Sequence, residues 1–553
     1  MAGPTVWRVR RRRSRSVFSS SAYGPGAVRW LQPVRRRRRR RAPVGPILAG
    51  VVLLALAGGA LAFVRSRDGG EDPSRAVAQR FADAWARGDL DAAWRLTTAA
   101  TRSEQPLAGF RESIRQAGRA ATVERVEVGR AGAPEGGRVA LPVVLRTRLF
   151  GELRGTIALP VERNGATARV AWTPALRLPG LRAGERVRRR ILRRPPRAAV
   201  LDAGGRRLAR EPAAAPLVSG LEARYAERLS GRPGAELRYG RRRIARVDVV
   251  AGRSVKTTIR PSLQAAATDA LGGRLGGVAV MRPRDGSVLA LAGLAVSAPQ
   301  PPGSVFKIIT LAAALQEREA TPAESFPVRT AATLEGVQLR NAGDEACGGS
   351  LTDSFAHSCN SVFAPLGARL GARRLVAYAE RFGFDERLPI PAARPSTIPA
   401  ARELTDDLAV GASAIGQDRV LATPLVMASV GATIATGGVR ARPRLVRHEE
   451  QARRRVVSRR VARRVREMML AVVARGTGTA AALPGVAVAG KTGTAELVPT
   501  ADGPADPSNT DAWFVAFAPA GRPRLAVAVM LVGAGQGGAT AAPVARAVLS
   551  AGL

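Results

Sequence analysis

Apolar and polar positions change their period along this chain. An uncharged apolar run, Ala42–Val64, precedes a segment in which Phe81 and Trp85 recur at helical spacing. Further on the period becomes that of strands, and Asn164–Gly165 is placed as a hairpin turn between two of them. Helices followed by antiparallel strands predict a small α+β unit, cone-like in outline, over residues 74–178.

The next stretch, 179–256, is basic and interrupted by proline and glycine pairs, which predicts an extended pedestal or linker. From residue 257 the pattern of apolar and polar residues changes again. Leu275–Leu291 is typical of two strands around a turn at Asp285–Gly286, and helical patterns fill the middle of the segment. Three more strands are predicted at its end: Val486–Glu496, Asp511–Pro519 and Arg524–Val532. Residues 257–553 therefore predict a domain in which one sheet is assembled from both ends, with helices between.

The apolar run is long enough to cross a bilayer, since about twenty helical residues span its core of about 30 Å. Arg35–Arg41 lies directly before it and is expected to stay in the cytoplasm. We therefore predict a basic cytoplasmic tail over 1–41, a single transmembrane helix over 42–65, and an extracytoplasmic remainder. A cleaved signal peptide is the alternative, because Ala60–Ala62 resembles a cleavage site.

The formal net charge of +44 suggests a polyanionic partner. Fourteen arginines and no acid lie in residues 1–41, while the remaining excess is spread along the chain. No aromatic interleaving or nucleic-acid fold accompanies the arginines, so we predict attraction to anionic lipid and no nucleic-acid partner.

A first candidate for chemistry is Ser304, which follows a Pro-Pro-Gly loop and opens a helical pattern. Lys307 lies three positions later, on the same helix face, where its amine can reach the serine hydroxyl. A serine needs a base before it can attack an amide, and a neutral lysine can supply one. By itself the pair also fits a capped helix with an exposed lysine.

Two further motifs follow the first. Ser358 and Asn360 could relay a proton and hold a substrate amide, although a helix cap is the simpler interpretation. Lys491 ends a valine-rich strand and would face a substrate carboxylate. The residues after it, Thr492, Gly493 and Thr494, would line the substrate, with an oxyanion hole formed by backbone N–H groups near Thr494 and Ser304.

Lysine usage strengthens the chemical interpretation. Of 87 basic side chains only three are lysine, and two of these are Lys307 and Lys491. Arginine cannot lose its proton in a protein, whereas lysine does so when its pKa is depressed. Two of the three lysines therefore lie in the motifs that need an amine able to lose its proton.

The two cysteines, Cys347 and Cys359, form either a disulfide or a pair in which Cys359 is a small buried residue. They lack zinc-site spacing, so no metal is predicted. His357 has no acid within the eight residues after it to orient its ring, and we interpret it as structural.

The order SVFK, SCN, KTGT resembles the active-site trio of penicillin-binding proteins and serine β-lactamases. The segments PPGSVFKIITLAAAL, HSCNSVFAPLG, GQDRVLATPLVMA and AWFVAFAP are similar to class B penicillin-binding proteins in particular. The resemblance covers roughly 257–553, and the 74–178 unit resembles the nuclear-transport-factor-like domain of methicillin-resistance-type members.

This resemblance implies a membrane-bound D,D-transpeptidase that cross-links peptidoglycan stem peptides and is acylated by β-lactams at Ser304. It implies Lys307 as the base, Ser358 as proton relay, Asn360 as substrate ligand, and Lys491 with Thr492–Thr494 as the carboxylate site. It further implies no cofactor, and a polytopic SEDS-type glycosyltransferase as partner. A β-lactam-hydrolysing or β-lactam-sensing protein of the same fold, or a non-catalytic scaffold, is the alternative.

Overall fold

The computed structural model describes residues 72–496 and 507–553. The predicted cytoplasmic tail, 1–41, and the predicted transmembrane helix, 42–65, lie outside these residues. Within the described ranges, every helix is too short or too polar to cross a membrane.

The first part of the fold is a layer of helices against an antiparallel sheet. Its helices are α1 (Pro73–Ala86), α2 (Leu90–Arg95), α3 (Ala99–Glu104) and α4 (Leu107–Ala121). Its strands are β1 (Val123–Val128), β2 (Pro134–Glu135), β3 (Arg138–Thr147), β4 (Gly151–Asn164) and β5 (Thr167–Val170), ordered β1-β3-β4-β5 with β2 on β3. Asp89 caps α2 by accepting from the Ala92 N–H at 2.9 Å. Asn164 pairs with Thr167, so the hairpin turn is Gly165–Ala166, one residue beyond the predicted pair.

Alternating burial on β3 directs Leu141 and Leu145 into a core shared with the helices. Phe110 of α4 is fully buried there and meets the Trp172 ring edge-on, with centroids 4.6 Å apart.

Residues 179–256 are not the extended connection that we expected. Strands β6 (Val187–Ile191), β8 (Ala235–Tyr239) and β9 (Arg242–Val247) form a sheet ordered β6-β8-β9, which buries Leu237 in the preceding core. The rest comprises β7 (Val200–Leu201), α5 (Ala215–Arg224), α6 (Ala226–Ser230) and β10 (Val255–Lys256), with β7 and β10 paired in parallel. This second group buries Leu221 in the core of the following domain. Residues 179–256 therefore contribute to two cores, with Leu237 in the preceding one and Leu221 in the following one.

The last domain contains the predicted sheet. It is antiparallel and five-stranded, in the order β12-β11-β21-β20-β19, so strands from both ends of the domain meet as expected. Its strands are β11 (Gly276–Arg282), β12 (Ser287–Gly293), β19 (Ala489–Glu496), β20 (Thr510–Ala518) and β21 (Leu525–Leu531). Arg282 pairs with Ser287, so the predicted Asp285–Gly286 turn lies within a four-residue loop.

Helices cover both faces of this sheet. They are α7 (Pro261–Leu271), α8 (Lys307–Glu317), α9 (Leu351–Ala356), α10 (Asn360–Leu370), α11 (Ala372–Phe382), α12 (Asp407–Ala414), α13 (Pro424–Ala435), α14 (Arg459–Arg475) and α15 (Ala541–Gly552). Small peripheral strands complete the domain: β13 (Ser325–Arg329), β14 (Ala331–Leu334), β15 (Val337–Arg340), β16 (Cys347–Ser350), β17 (Val439–Ala441) and β18 (Arg453–Arg455).

Alternation along β20 decides which side chains meet which helices. Trp513 and Val515 point into the larger core with α8 and α10, while Phe514 points into the smaller core with α7 and α15. Lys491 of the edge strand β19 lies directly opposite Val515 and therefore faces the larger, helical side.

We predict that Phe110→Ala destabilises the first core by about 3–5 kcal/mol, because it removes a fully buried ring and leaves a cavity. Hydrogen exchange of residues 73–172 under native conditions measures this cost. Leu149→Ala, at a side chain 37% exposed, is the control and should change the free energy by less than about 0.5 kcal/mol. A Phe110→Ala cost as small as that of the control would contradict the assignment of Phe110 to the core.

Candidate active site

The nucleophile candidate lies on a short turn held against the edge strand. Gly303–Phe306 is a 3-10 turn that leads into α8, and Ser304 is half-buried on it. Gly303 has a positive φ of 52°, and a Cβ there would lie 2.5 Å from the Thr494 carbonyl oxygen. Its N–H donates to the Gly416 carbonyl at 2.9 Å. Only glycine fits this approach, which places Ser304 beside the strand that carries Thr494.

The second motif sits between two helices. Ser358 follows α9 with a φ of 64°, in the left-handed region that is costly for a residue with a side chain. Cys359 forms a disulfide with Cys347 of β16, so the first of our two alternatives for the cysteines applies. Asn360 begins α10 and donates its amide Nδ2 to the Arg340 carbonyl at 2.6 Å. The backbone conformation of Ser358, the disulfide of Cys359 and the hydrogen bond of Asn360 therefore each restrict the position of the motif.

Lys307 and Lys491 meet at this motif. Both side chains are fully buried. Lys307 Nζ donates to the Ser358 carbonyl and to Asn360 Oδ1, each at 2.6 Å, and lies 3.5 Å from Ser358 Oγ. Lys491 Nζ donates to Ser358 Oγ at 2.8 Å and to the Thr492 carbonyl at 3.1 Å. Ser358 Oγ is thus the shared partner of both amines.

Burial dominates the electrostatics of the pair. It holds the pKa of Lys307 well below its usual value, and the positive charge of Lys491 lowers it further. Burial also lowers the pKa of Lys491, to about 7. Among the described residues neither ammonium has a carboxylate partner, so no negative charge offsets this desolvation. A neutral amine, which a base must be, is therefore more accessible at these two lysines than at an exposed lysine.

The third motif lies on β19, the edge strand of the sheet. Thr492 Oγ1 lies 2.6 Å from Thr477 Oγ1, and Thr494 Oγ1 accepts from the Gly537 N–H at 3.4 Å. A Cβ at Gly493 would approach the Pro302 carbonyl oxygen to 2.7 Å, so the nucleophile loop packs directly on this strand. Backbone groups of an edge strand can pair with an extended peptide.

The eight residues predicted from the three motifs therefore lie together at one end of the sheet. The structure does not join Ser304 to Lys307: in the part of the chain described, the Ser304 hydroxyl has no hydrogen-bond partner. Such contacts are often open before substrate binds. His357 is exposed, with Nδ1 3.6 Å from Glu345 Oε1, and within the described ranges its ring makes no hydrogen bond to Ser358.

Sequence reasoning missed three supporting residues: Gly416, Thr477 and Gly537. Gly416 lies in a segment that we recognised only as a family resemblance. Thr477 and Gly537 belong to Gly-rich loops whose contact with β19 no local pattern encodes.

A serine–lysine turn beside the edge strand of a helix-covered, five-stranded antiparallel sheet defines the class of serine transpeptidases. The family model described as the penicillin binding protein transpeptidase domain matches residues 276–550. Peptidoglycan D,D-transpeptidase PbpA of Mycolicibacterium smegmatis is 36% identical over 394 residues, which cover 59% of this chain and 76% of that protein. The chain belongs to the class B penicillin-binding peptidoglycan D,D-transpeptidases.

Two solved structures support the same fold. The D,D-transpeptidase domain of a peptidoglycan glycosyltransferase from Eggerthella lenta has a TM-score of 0.56 and 29% identity, covering 65% of this chain and 98% of that one. The imipenem acyl-enzyme complex of penicillin-binding protein A from Mycobacterium tuberculosis has a TM-score of 0.50 and 31% identity, covering 65% and 90%.

We predict that Gly416→Ala slows acylation by a β-lactam by about tenfold to a hundredfold, because small displacements of a nucleophile are costly. A Cβ there would lie 2.1 Å from the Gly303 carbonyl oxygen and would push the turn that carries Ser304. The rate is measured with a fluorescent penicillin. Gly521→Ala meets no atom within 4 Å and should acylate normally. Normal acylation by Gly416→Ala would show that this contact does not position the turn.

Proposed function

We propose that this chain cross-links peptidoglycan stem peptides through an acyl-enzyme on Ser304. The observation that carries the proposal is the row Lys491, Ser358, Lys307, in which both lysines are buried and Ser358 Oγ lies 2.8 Å from one amine and 3.5 Å from the other. This row ends beside the turn of Ser304 and connects two lysines of depressed pKa through one hydroxyl. It is suited to moving protons rather than to holding a fixed charge.

In the proposed acylation, neutral Lys307 takes the proton of Ser304 as its oxygen attacks the carbonyl carbon of a D-Ala–D-Ala amide. The new bond is the Ser304 ester, and the bond that breaks joins that carbon to the nitrogen of the terminal D-Ala. Ser358 gives its proton to this nitrogen and takes one from Lys307 in return, so D-Ala leaves as a neutral amine and Lys307 is neutral again. The amine of a neighbouring stem peptide then attacks the ester, forms the cross-link and restores the Ser304 hydroxyl.

Substrate binding is assigned to the edge strand and to Asn360. The terminal carboxylate binds at Lys491 and Thr492, with a contribution from Thr494, and the approach of a carboxylate favours the protonated form of Lys491. Gly493 leaves room for the substrate backbone along β19. The backbone N–H groups of Ser304 and Thr494 stabilise the oxyanion.

The same attack explains covalent binding of β-lactams, whose amide carbon takes the place of the D-Ala–D-Ala carbonyl. The related penicillin-binding protein A from Mycobacterium tuberculosis forms an imipenem acyl-enzyme complex, which supports this part of the proposal.

We also propose the cellular setting that the sequence predicts. The chain is anchored in the cell membrane by residues 42–65, with the tail 1–41 in the cytoplasm and the catalytic domain outside. Residues 74–178 act as a nuclear-transport-factor-like domain and 179–256 as the pedestal below the transpeptidase domain, 257–553. A polytopic SEDS-type glycosyltransferase is the proposed partner, by family analogy.

Ser304→Ala should abolish covalent labelling by penicillin and leave the melting temperature within a few degrees, because the hydroxyl has no hydrogen bond among the described residues. Peptide mapping of the wild-type adduct should place it on Ser304. An adduct on Ser358 would overturn the assignment, and rapid release of hydrolysed penicillin would favour the β-lactamase alternative.

Lys307→Arg should reduce acylation by roughly 10²–10⁴-fold, because a guanidinium keeps the charge but cannot act as a base. Lys491→Arg should be milder, since arginine can still attract a carboxylate. The pKa of Lys307 is lowered, so wild-type acylation should fall as the pH decreases through the range in which Lys307 takes up its proton. Lys307→Arg should lack this fall. Equal rate losses in both variants, with unchanged pH profiles, would show that the roles are wrongly assigned.

A further inference from the structure

A cavity of about 400 Å³ opens where the loop 202–206, which follows β7, meets the last domain. Cavities of this size hold small molecules. The strand β12, which contributes Leu289 to the wall, is the edge of the sheet opposite to β19, so the cavity is separate from the catalytic cluster. We call it the arginine cavity, and the lining residues on which the argument depends are Asp202, Arg206, Arg260, Ser262, Arg282 and Arg447.

The arginine cavity has an excess of positive charge. Four of its lining residues are arginines and one is an acid. That acid, Asp202, pairs with Arg206 at 3.3 Å. Asp285, which does not line the cavity, pairs with Arg282 at 2.9 Å and is also 3.5 Å from Arg444. The two carboxylates therefore leave at least two of the four lining guanidinium groups uncompensated.

Arg260 and Arg447 supply this excess. Both are exposed, and within the described ranges neither side chain has an acidic partner. Arg447 Nη2 donates to the Ala203 carbonyl at 3.2 Å, which holds its guanidinium group beside the loop 202–206. Lys256, the third lysine of the chain, adds a positive charge next to the same loop, because its Nζ lies 3.7 Å from the point that a Cβ at Gly205 would occupy.

Helix α7 begins at the arginine cavity, since Arg260, Pro261 and Ser262 all line it. No side chain of the described residues caps this helix, and its first N–H groups have no acceptor within the helix. The positive end of the helix dipole therefore adds to the field of the arginines, which define the site.

The chemistry of the cavity favours phosphate. A guanidinium group binds two oxygens of a phosphate through parallel N–H bonds, and Arg260 and Arg447 are both free of carboxylates among the described residues. A single carboxylate would neutralise only one of the uncompensated charges. Two linked phosphates carry several negative charges and present oxygens on more than one side, which suits arginines that approach from separate segments of the chain.

We propose that the arginine cavity binds the diphosphate group of a larger molecule. The bound group would contact both the loop 202–206 and the domain that carries Ser304, and would hold these two parts in a fixed arrangement. The site lies within the described residues and does not depend on the acyl-enzyme mechanism.

The test titrates the full chain, in neutral detergent, with inorganic pyrophosphate in a calorimeter. We expect saturable binding that salt weakens, and slower hydrogen exchange in residues 202–208 and 258–264. Absence of saturable binding, or protection confined to other parts of the chain, would overturn the proposal. Citrate at equal ionic strength should bind more weakly, and equally tight binding of citrate would show a general anion site instead.

Variants separate the cavity from the overall charge of the chain. Arg260→Gln with Arg447→Gln removes the two uncompensated guanidinium groups and should weaken pyrophosphate binding by roughly tenfold to a hundredfold. The matched control, Arg459→Gln with Arg460→Gln on exposed positions of α14, makes the same charge change and should bind like the wild type. Equal weakening by both pairs would contradict the assignment.

Acylation by a fluorescent penicillin reports whether the variants are folded, and it should be unchanged in both pairs. Arg447 also holds the loop 202–206, so a double variant that loses acylation is replaced by Arg260→Gln alone. Weaker pyrophosphate binding by this single variant would support the proposal, and unchanged binding would overturn it.

Two larger probes distinguish the source of the diphosphate. Uridine diphosphate represents a soluble ester, and geranylgeranyl diphosphate in micelles represents a lipid. Tighter binding of either probe than of pyrophosphate would support the proposal and identify the source. Weaker binding of both would mean that the cavity accepts only an isolated ion, which would overturn it.

Discussion

The structure depends on the burial of two lysines side by side without a carboxylate. Removing an ammonium from water costs several kcal/mol, and the second positive charge increases this cost. Lys307 and Lys491 avoid part of it by losing protons more readily than exposed lysines do. They also depend on neutral oxygens from Ser358, Asn360 and Thr492. Arginine, the usual basic residue of this chain, could not lower this cost in the same way because its guanidinium remains charged.

The oxygens that accept hydrogen bonds from the two lysines, and the lysines themselves, belong to segments that lie far apart in the sequence, so the site restricts the conformation of each segment. Ser358 must adopt a left-handed conformation to direct its carbonyl and hydroxyl toward the amines, and the disulfide at Cys359 ties the same residues to β16. Lys491 reaches the site only because β19 is the edge strand and shares its face with Val515. The large helical core around α8 and α10 excludes water from this cluster, which maintains the low pKa values.

Much of this could be predicted from the sequence, because short motifs, strand periodicity and the rarity of lysine can be recognised without knowing which distant segments meet. They predicted the sheet assembled from both ends of the domain and the eight candidate site residues, which the structure brings close together. What they could not predict depends on contacts between distant segments. Gly416 meets Gly303, and Thr477 meets Thr492, across separations that no period encodes. Likewise the two-residue strands β7 and β10 are too short to recognise, although their pairing builds part of a core.

The hydrogen bonds also fix the direction in which a proton can move. A neutral amine has two N–H donors and one lone pair, and Lys307 has two acceptors at 2.6 Å. Asn360 cannot turn its oxygen away, because its Nδ2 is held by the Arg340 carbonyl. The Lys307 lone pair is then left for a hydroxyl. Ser358 Oγ accepts from Lys491, so its own hydrogen is free to point toward Lys307. One lone pair accepts only one hydrogen at a time, so it takes a hydrogen bond from Ser358 or, once that bond opens, from the unpartnered Ser304 hydroxyl.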